Sequence, residues 1–277
     1  MKEKLNRYAR NITSQHGEDG ILDYIISILG DQAIKSVCEF GAWDGIVASN
    51  AWDLWKNRGW KAVLIEGDPA KGKELAENTK GFDTAVFNKF IAAVGKDSLD
   101  DIFRTNGLDP KIGILSIDID SFDYHVWKNM SHVDPQVVVI EHNQHIPPHI
   151  EYFDPEGFVY LKCSAKALEK LGAEKGYKLI CCTLTNSLFV KNDLFDADKF
   201  PDMPVEWLFD YSGLATQLVF TGEDRNKYPL FAGKARSGPK GVLRTYYRLS
   251  SLFNSKQTYR KPPDAVVEQL RRAGMDI

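Results

Sequence analysis

Short apolar runs alternate with stretches of helical period over the first 190 residues of the chain. The runs SVCEFG (36–41), KAVLIEG (61–67), IAAVG (91–95), IGILSID (112–118), QVVVIEH (136–142) and YKLICCT (177–183) are rich in Val and Ile and nearly continuous in hydrophobicity. That is the pattern of parallel strands covered on both faces. Helical stretches are expected between them at 48–58, 69–78, 97–106, 123–130 and 164–175. An opening helix over 18–29 places Ile21, Leu22, Ile25, Ile26 and Leu29 on one face. Strand–helix alternation at this spacing implies right-handed crossovers and a doubly wound sheet. The run NSLFVKND (186–193) follows the sixth strand too soon for a crossover helix. It is expected to lie antiparallel to its neighbour as a seventh strand.

Two segments break this rhythm. Residues 143–163, which open NQHIPPHIEYFDPEG, are proline- and aromatic-rich and too long for an ordinary strand-to-helix loop. They leave the carboxyl end of a strand, where open α/β sheets bind ligands, and are read as a substrate loop. From about 195 the pattern weakens. The chain therefore divides into a sheet domain over 1–195, whose residues 1–30 form a helical cover, and a C-terminal extension over 196–277. Within the extension, residues 225–262 hold ten Lys/Arg and no Asp/Glu, interleaved with Tyr228, Phe231, Tyr246, Tyr247, Phe253 and Tyr259. Such a stretch is either a solvated surface or a contact for a phosphate-bearing substrate or an anionic partner.

Composition narrows the field. The 277 residues carry a net charge of −3, which gives no overall reason to expect nucleic acid as a partner. No run approaches the roughly 18 apolar residues of a membrane span, and the basic start lacks the apolar stretch of a signal peptide. The four cysteines (Cys38, Cys163, Cys181, Cys182) show no CxxC spacing and are expected as reduced core thiols. A cytoplasmic location follows as the expectation; self-association is left open.

The candidate chemistry lies at strand ends. VCEFGAWDG (37–45) puts Glu39 inside the first strand and Gly41 at its end, followed by Asp44 and Gly45. A glycine there permits a tight turn and close approach to a ligand. The spacing is not GxGxxG, so the dinucleotide fingerprint fails. The second strand ends LIEGD, with Glu66 placed to accept hydrogen bonds from ribose hydroxyls. A glycine turn and a ribose acid without a phosphate cradle fit an adenosine ligand lacking phosphates, such as S-adenosylmethionine (SAM).

SQHGEDGIL (14–22), EFGAWDG (39–45), LIEGD (64–68), LSIDID with Asp123-Tyr124 (115–124), and IEHN followed by Pro147-Pro148 occur in order. In these blocks the chain resembles the FkbM-type SAM-dependent methyltransferases. The resemblance implies a Rossmann-like class I methyltransferase fold and O-methyl transfer to a hydroxyl of a sugar, polysaccharide precursor or similar glycoconjugate. It also implies that Glu39, Gly41, Asp44 and Gly45 line the methionine end of SAM and that Glu66 holds the ribose. Asp68 and Gln15 complete the candidate cofactor set. Ser121-Phe122 and His142 depart from the family pattern, both on the acceptor side.

Strand four ends in Asp118 and Asp120, with Asp123 close behind, and strand five ends in Glu141-His142-Asn143. Carboxylates this close repel and are costly to bury without a positive partner. Asp118, Asp120, Glu141 and Asn143 make an all-oxygen set suited to Mg²⁺, Mn²⁺ or Ca²⁺. Alternatively, one aspartate is a general base without metal, or one holds the amino group of SAM. Asp118, Asp120, His142 and His145 are the candidate catalytic residues, a histidine being a natural base near neutrality. His142, His145 and His149 have helical zinc spacing, but Pro147-Pro148 interrupt it. Two other functions compete: an NAD-type oxidoreductase on the same sheet, disfavoured by the missing fingerprint, and a non-catalytic SAM-fold binding protein with an anionic partner.

Overall fold

The computed structural model describes residues 3–213 and the backbone of 216–221 and 227–232. The opening helix is α1 (Glu18–Leu29), and Ile21, Leu22, Ile25 and Leu29 are buried along its inner face. The chain then runs β1 (Ser36–Phe40), α2 (Trp52–Asn57), β2 (Lys61–Glu66), α3 (Pro69–Asn78), β3 (Thr84–Asn88), α4 (Leu99–Thr105) and β4 (Lys111–Ile117). It continues through α5 (Asp123–Asn129), β5 (Asp134–Glu141), α6 (Ala165–Glu174), β6 (Tyr177–Cys182), β7 (Asn186–Lys191) and α7 (Val205–Leu208). The strands β8 (Thr216–Thr221) and β9 (Lys227–Ala232) pair with each other as an antiparallel ribbon.

The main sheet has the order β3-β2-β1-β4-β5-β7-β6. Strands β1 to β5 are parallel, and β7 lies antiparallel between β5 and β6. This is the doubly wound, Rossmann-like sheet of class I methyltransferases, and β7 takes the antiparallel direction that its short link to β6 requires. The strand expected at 91–95 is not formed. The third strand is Thr84–Asn88, an edge strand paired only with β2, whereas Ala92 makes an isolated bridge to Ser98. Edge strands are covered on one side only, and none of the residues of β3 is fully buried. The apolar run of β3, Ala85-Val86-Phe87, is only three residues long, too short to stand out in a search for continuous apolar runs.

Side-chain alternation along each strand feeds two cores. Val138 and Ile140 of β5 pack with α4, α5, α6 and α7 on one face. Val137 and Val139 pack with α1, α2 and α3 on the other. Phe200, Val205, Leu208 and Phe209 lie beyond residue 195 and are buried in the same cores. The cysteines are buried and free of disulfides. Apart from the backbone of β9, the basic stretch 225–262 lies outside the described residues. Among the described residues, no helix is long and apolar enough to cross a membrane.

Candidate active site

The strand order reverses between β1 and β4, so their carboxyl ends diverge into a crevice, the usual ligand position in such sheets. Gly41 closes β1 in a left-handed conformation (φ 75°), and a side chain there would strike the backbone carbonyl of Asp118. The Asp118 N–H donates to the Phe40 carbonyl at 3.2 Å. The glycine is thus required by the neighbouring strand: it lets the ends of β1 and β4 abut.

On the β1–β2 side, most of the expected cofactor residues are built into loops. Glu39 is buried; its Oε2 accepts from the Ser49 hydroxyl at 2.5 Å and its Oε1 from Asn50 N–H at 2.7 Å. Asn50 in turn donates to Ser116 Oγ on β4. Burial pushes the Glu39 carboxyl up to about 7, against the hydrogen bonds from Ser49, Asn50 and Ser116 that favour its charged form. Asp44 Oδ1 accepts from Ile46 and Val47 N–H, turning the loop around Gly45. Glu66 accepts from Trp43 N–H at 2.8 Å and Asp68 N–H at 2.7 Å. A carboxylate has about four acceptor positions, so Glu66 keeps capacity for ribose hydroxyls. Asp68 caps α3 by accepting from Ala70 and Lys71 N–H.

The N-terminal segment is held by Asp19, whose Oδ2 accepts from the N–H groups of Ile12, Thr13 and Ser14. Ser14 Oγ accepts in return from Asp19 N–H. This is a reciprocal cap with its carboxylate two residues later than the usual capping box would place it. Thr13 donates to the Ser49 carbonyl, seating the segment against the loop after β1. Gln15 is exposed, and its backbone carbonyl accepts from the Asn11 amide.

On the β4–β5 side, Asp118, Asp120 and Glu141 present oxygens within 4.8 Å of one another, and no other such group of His, Cys, Asp and Glu occurs among the described residues. Solvent reaches Asp118, yet the surrounding protein strips much of its hydration. That desolvation, with the charges of Glu141, Asp123 and Asp120, pushes its carboxyl up to about 8. Desolvation also raises Glu141, against the pull of Lys162. Asp123 is buried and structural, accepting from Ile119 and Ser121 N–H so that Asp120 sits at φ 57°.

The positive partner of these carboxylates is Lys162. Its Nζ lies 2.5 Å from both Asp120 Oδ1 and Glu141 Oε2. Burial works against its charge, and the hydrogen bonds to the two carboxylates outweigh it and raise its pKa. Sequence reasoning missed this residue because it lies 42 positions after Asp120. One signal was present: Lys162 is the only Lys or Arg in 143–163. Asp154 was also missed. It is buried, and its carboxylate accepts from the N–H groups of Tyr160, Leu161 and Lys162 and from the Tyr152 hydroxyl.

The remaining acceptor-side residues are dispersed. His142 turns inward, its Nδ1 at 3.1 Å from Ser187 Oγ and its ring against Phe209. Burial pushes it down to about 3, so it is neutral and withdrawn from the carboxylates. His145 and His149 are exposed. Asn143 is committed at both ends of its amide, accepting from His145 N–H and donating to the Leu161 carbonyl. With an ammonium already on two of the three carboxylates, the four-residue set does not fit a divalent cation as it stands. The acidic lining does fit SAM, whose sulfonium and ammonium are both cations. A cleft of 440 Å³ beside α4 and α5 lies lateral to these groups. Large apolar side chains are exposed in the loops after β1 (Trp43, Val47), after β3 (Phe90, Val94) and within 143–163 (Phe158, Tyr160).

No protein-family model matches the chain, nor does any curated protein sequence. Solved structures similar in backbone include a SAM dependent methyltransferase from Aquifex aeolicus, with 12% identity and a TM-score of 0.38 over 63% of this chain and 88% of that one. A S-adenosylmethionine-dependent methyltransferase from Clostridium acetobutylicum shows 9% identity and a TM-score of 0.40 over 61% and 89%. A pericyclic reaction enzyme shows 10% identity and a TM-score of 0.37 over 60% of this chain, which spans only 46% of that protein. The strand order, rather than these likenesses, carries the fold assignment.

Proposed function

We propose that this chain is a SAM-dependent O-methyltransferase acting on a hydroxyl of a sugar, polysaccharide precursor or similar glycoconjugate. The observation that carries the proposal is the abutment of Gly41 on Asp118. It joins a cofactor half, ending in Glu66, to an acidic half at one topological switch point.

When bound, SAM supplies a methyl group already activated by its sulfonium. The chain then has to align an acceptor and take up a proton. In this reading Glu66 accepts from the ribose hydroxyls, and the acid-lined floor favours the cationic end of the cofactor. Asp118 is the base: a carboxyl pushed up to about 8 is matched to accepting a hydroxyl proton near neutrality. The exposed aromatic side chains around the mouth suit the apolar faces of sugar rings. No step is assigned to Mg²⁺ or Mn²⁺, His142 or His145.

Calorimetric titration with S-adenosylhomocysteine tests the cofactor half, where micromolar binding that weakens at least about tenfold in Glu66→Ala is expected. Transfer of labelled methyl from SAM into a panel of sugars and polysaccharides tests the acceptor class. Absence of S-adenosylhomocysteine binding at millimolar concentration would overturn the proposal. NADH binding in its place would favour an oxidoreductase.

A further inference from the structure

We propose that Lys162 is the resident cation of the acidic site, filling the place of a divalent metal and offering its remaining N–H to the acceptor oxygen. The role at the acceptor oxygen rests on the methyltransferase reading above; the exclusion of metal does not.

The ammonium is held from two directions. Asp120 Oδ1 and Glu141 Oε2 each lie 2.5 Å from Nζ. A lysine ammonium has three N–H donors and no acceptor, so this engagement leaves one donor for an incoming oxygen. The main chain is fixed just as closely. Asp154 accepts from Lys162 N–H at 2.7 Å through Oδ2, and the Asp154 N–H donates back to the Lys162 carbonyl at 2.8 Å. Lys162 sits at φ 60° and Asp120 at φ 57°, a conformation that side-chain-bearing residues seldom adopt. Both members of the pair are therefore clamped by a buried aspartate outside it, Asp154 for the lysine and Asp123 for its partner. Strained backbone held in place by its surroundings is the mark of a pre-set functional geometry.

The same arrangement disfavours a divalent metal among these three carboxylates. Asp118, Asp120 and Glu141 converge within 4.8 Å, and a metal on them would share two carboxylates with an ammonium of like charge. Take the lysine charge away and three converging carboxylates remain, a set of hard oxygen donors suited to Mn²⁺. Lys162 therefore conceals a latent metal site.

The test titrates the full-length protein at neutral pH with Mn²⁺ alone, read by water-proton relaxation and calorimetry. Wild type is expected to bind no tighter than about 1 mM. Lys162→Gln should bind at least about tenfold tighter, and Lys162→Gln/Glu141→Gln should lose that gain. Lys162→Met, which also removes the charge but keeps an apolar stem, repeats the measurement should the Gln variant fail to fold. Micromolar Mn²⁺ binding by wild type, with no gain in either Lys162 variant, would sink the proposal. Labelled-methyl transfer should proceed at the wild-type rate in excess EDTA, and a loss that added Mn²⁺ restores counts against it. S-adenosylhomocysteine binding should persist in the Lys162 variants, because Glu66 on the β1–β2 side is untouched. Should wild type not bind S-adenosylhomocysteine at all, the methyltransferase reading falls while the Mn²⁺ result still decides whether Lys162 excludes metal.

Discussion

Replacing Glu39 by Gln should flatten the pH dependence of stability on its alkaline side. Glu39 is buried on β1, and burial raises its carboxyl from 4.5 to about 7 in the folded protein. A folded state that holds a proton more tightly than the unfolded chain is most stable where both are protonated. The stability from Glu39 is therefore fully present below pH 4.5 and is lost as pH rises through 7. A shift of this size corresponds to about 3 kcal/mol between the two limits. In Glu39→Gln the group cannot ionise. The amide oxygen can still accept from Asn50 N–H, but Ser49 Oγ already accepts from the Ala51 and Trp52 N–H groups, so the bond to Ser49 is lost. At pH 5, where wild-type Glu39 is mostly neutral, the two proteins should agree within about 1 kcal/mol. Between pH 5 and pH 8 the variant should gain on wild type by about 2.5 kcal/mol. Urea denaturation followed by tryptophan fluorescence at both pH values gives the double difference, from which other titrating groups cancel. Parallel stability profiles would show that Glu39 is not desolvated as its position implies.

Three further outcomes follow from particular contacts. Gly41→Ala, at φ 75° and against the Asp118 carbonyl, should cost about 2 kcal/mol or more. It should also lower S-adenosylhomocysteine affinity, and unchanged affinity with unchanged melting temperature would contradict the abutment of β1 and β4. Asp154→Asn converts one acceptor of a crowded carboxylate into a donor and should cost about 2–4 kcal/mol. Hydrogen exchange should quicken at the amides of Tyr160, Leu161 and Lys162 and stay slow in β4 and β5. His142 is held neutral, its pKa pushed down from 6.5 to about 3, so stability should be lost as pH falls below 6.5. Between pH 7 and 5 that loss is about 2 kcal/mol, and His142→Gln should abolish it in acid denaturation curves.

Much of the fold was legible because the central strands are covered on both faces and leave unbroken Val/Ile runs. The direction of β7 followed from chain length alone: Cys182 and Asn186 are too close in sequence for a crossover helix. The third strand was misplaced because Thr84–Asn88 lies at the sheet edge and needs no continuous apolar run. At the site, the clustering of Asp118, Asp120 and Glu141 was visible, since strand ends adjacent in order are adjacent in space. Their neutralisation was not. Lys162 reaches them only because Asp154 folds the intervening loop back, and no periodicity records a contact made by a loop. His142 shows the converse. Its place next to Glu141 suggested a base, but one step along a strand end reverses the direction of the side chain, and it points to Ser187.

The segment 143–163 is closed at its own neck. Asn143 N–H donates to the Cys163 carbonyl at 2.8 Å, the Asn143 amide meets Leu161, and Phe153 bridges back to Cys163. Ile146, Ile150 and Tyr152 pack with Leu161 as a miniature core apart from the two that hold the sheet. It is a cassette, plugged into the end of β5 and leaving beside it. Only part of it is independent of the sheet: Phe153 stacks on Tyr124 of α5 at 4.2 Å, and Asp154 holds the N–H of Lys162, whereas the tip around Phe158 is exposed. Change at that tip is thereby uncoupled from the packing of the sheet, while change at Phe153 or Asp154 is not.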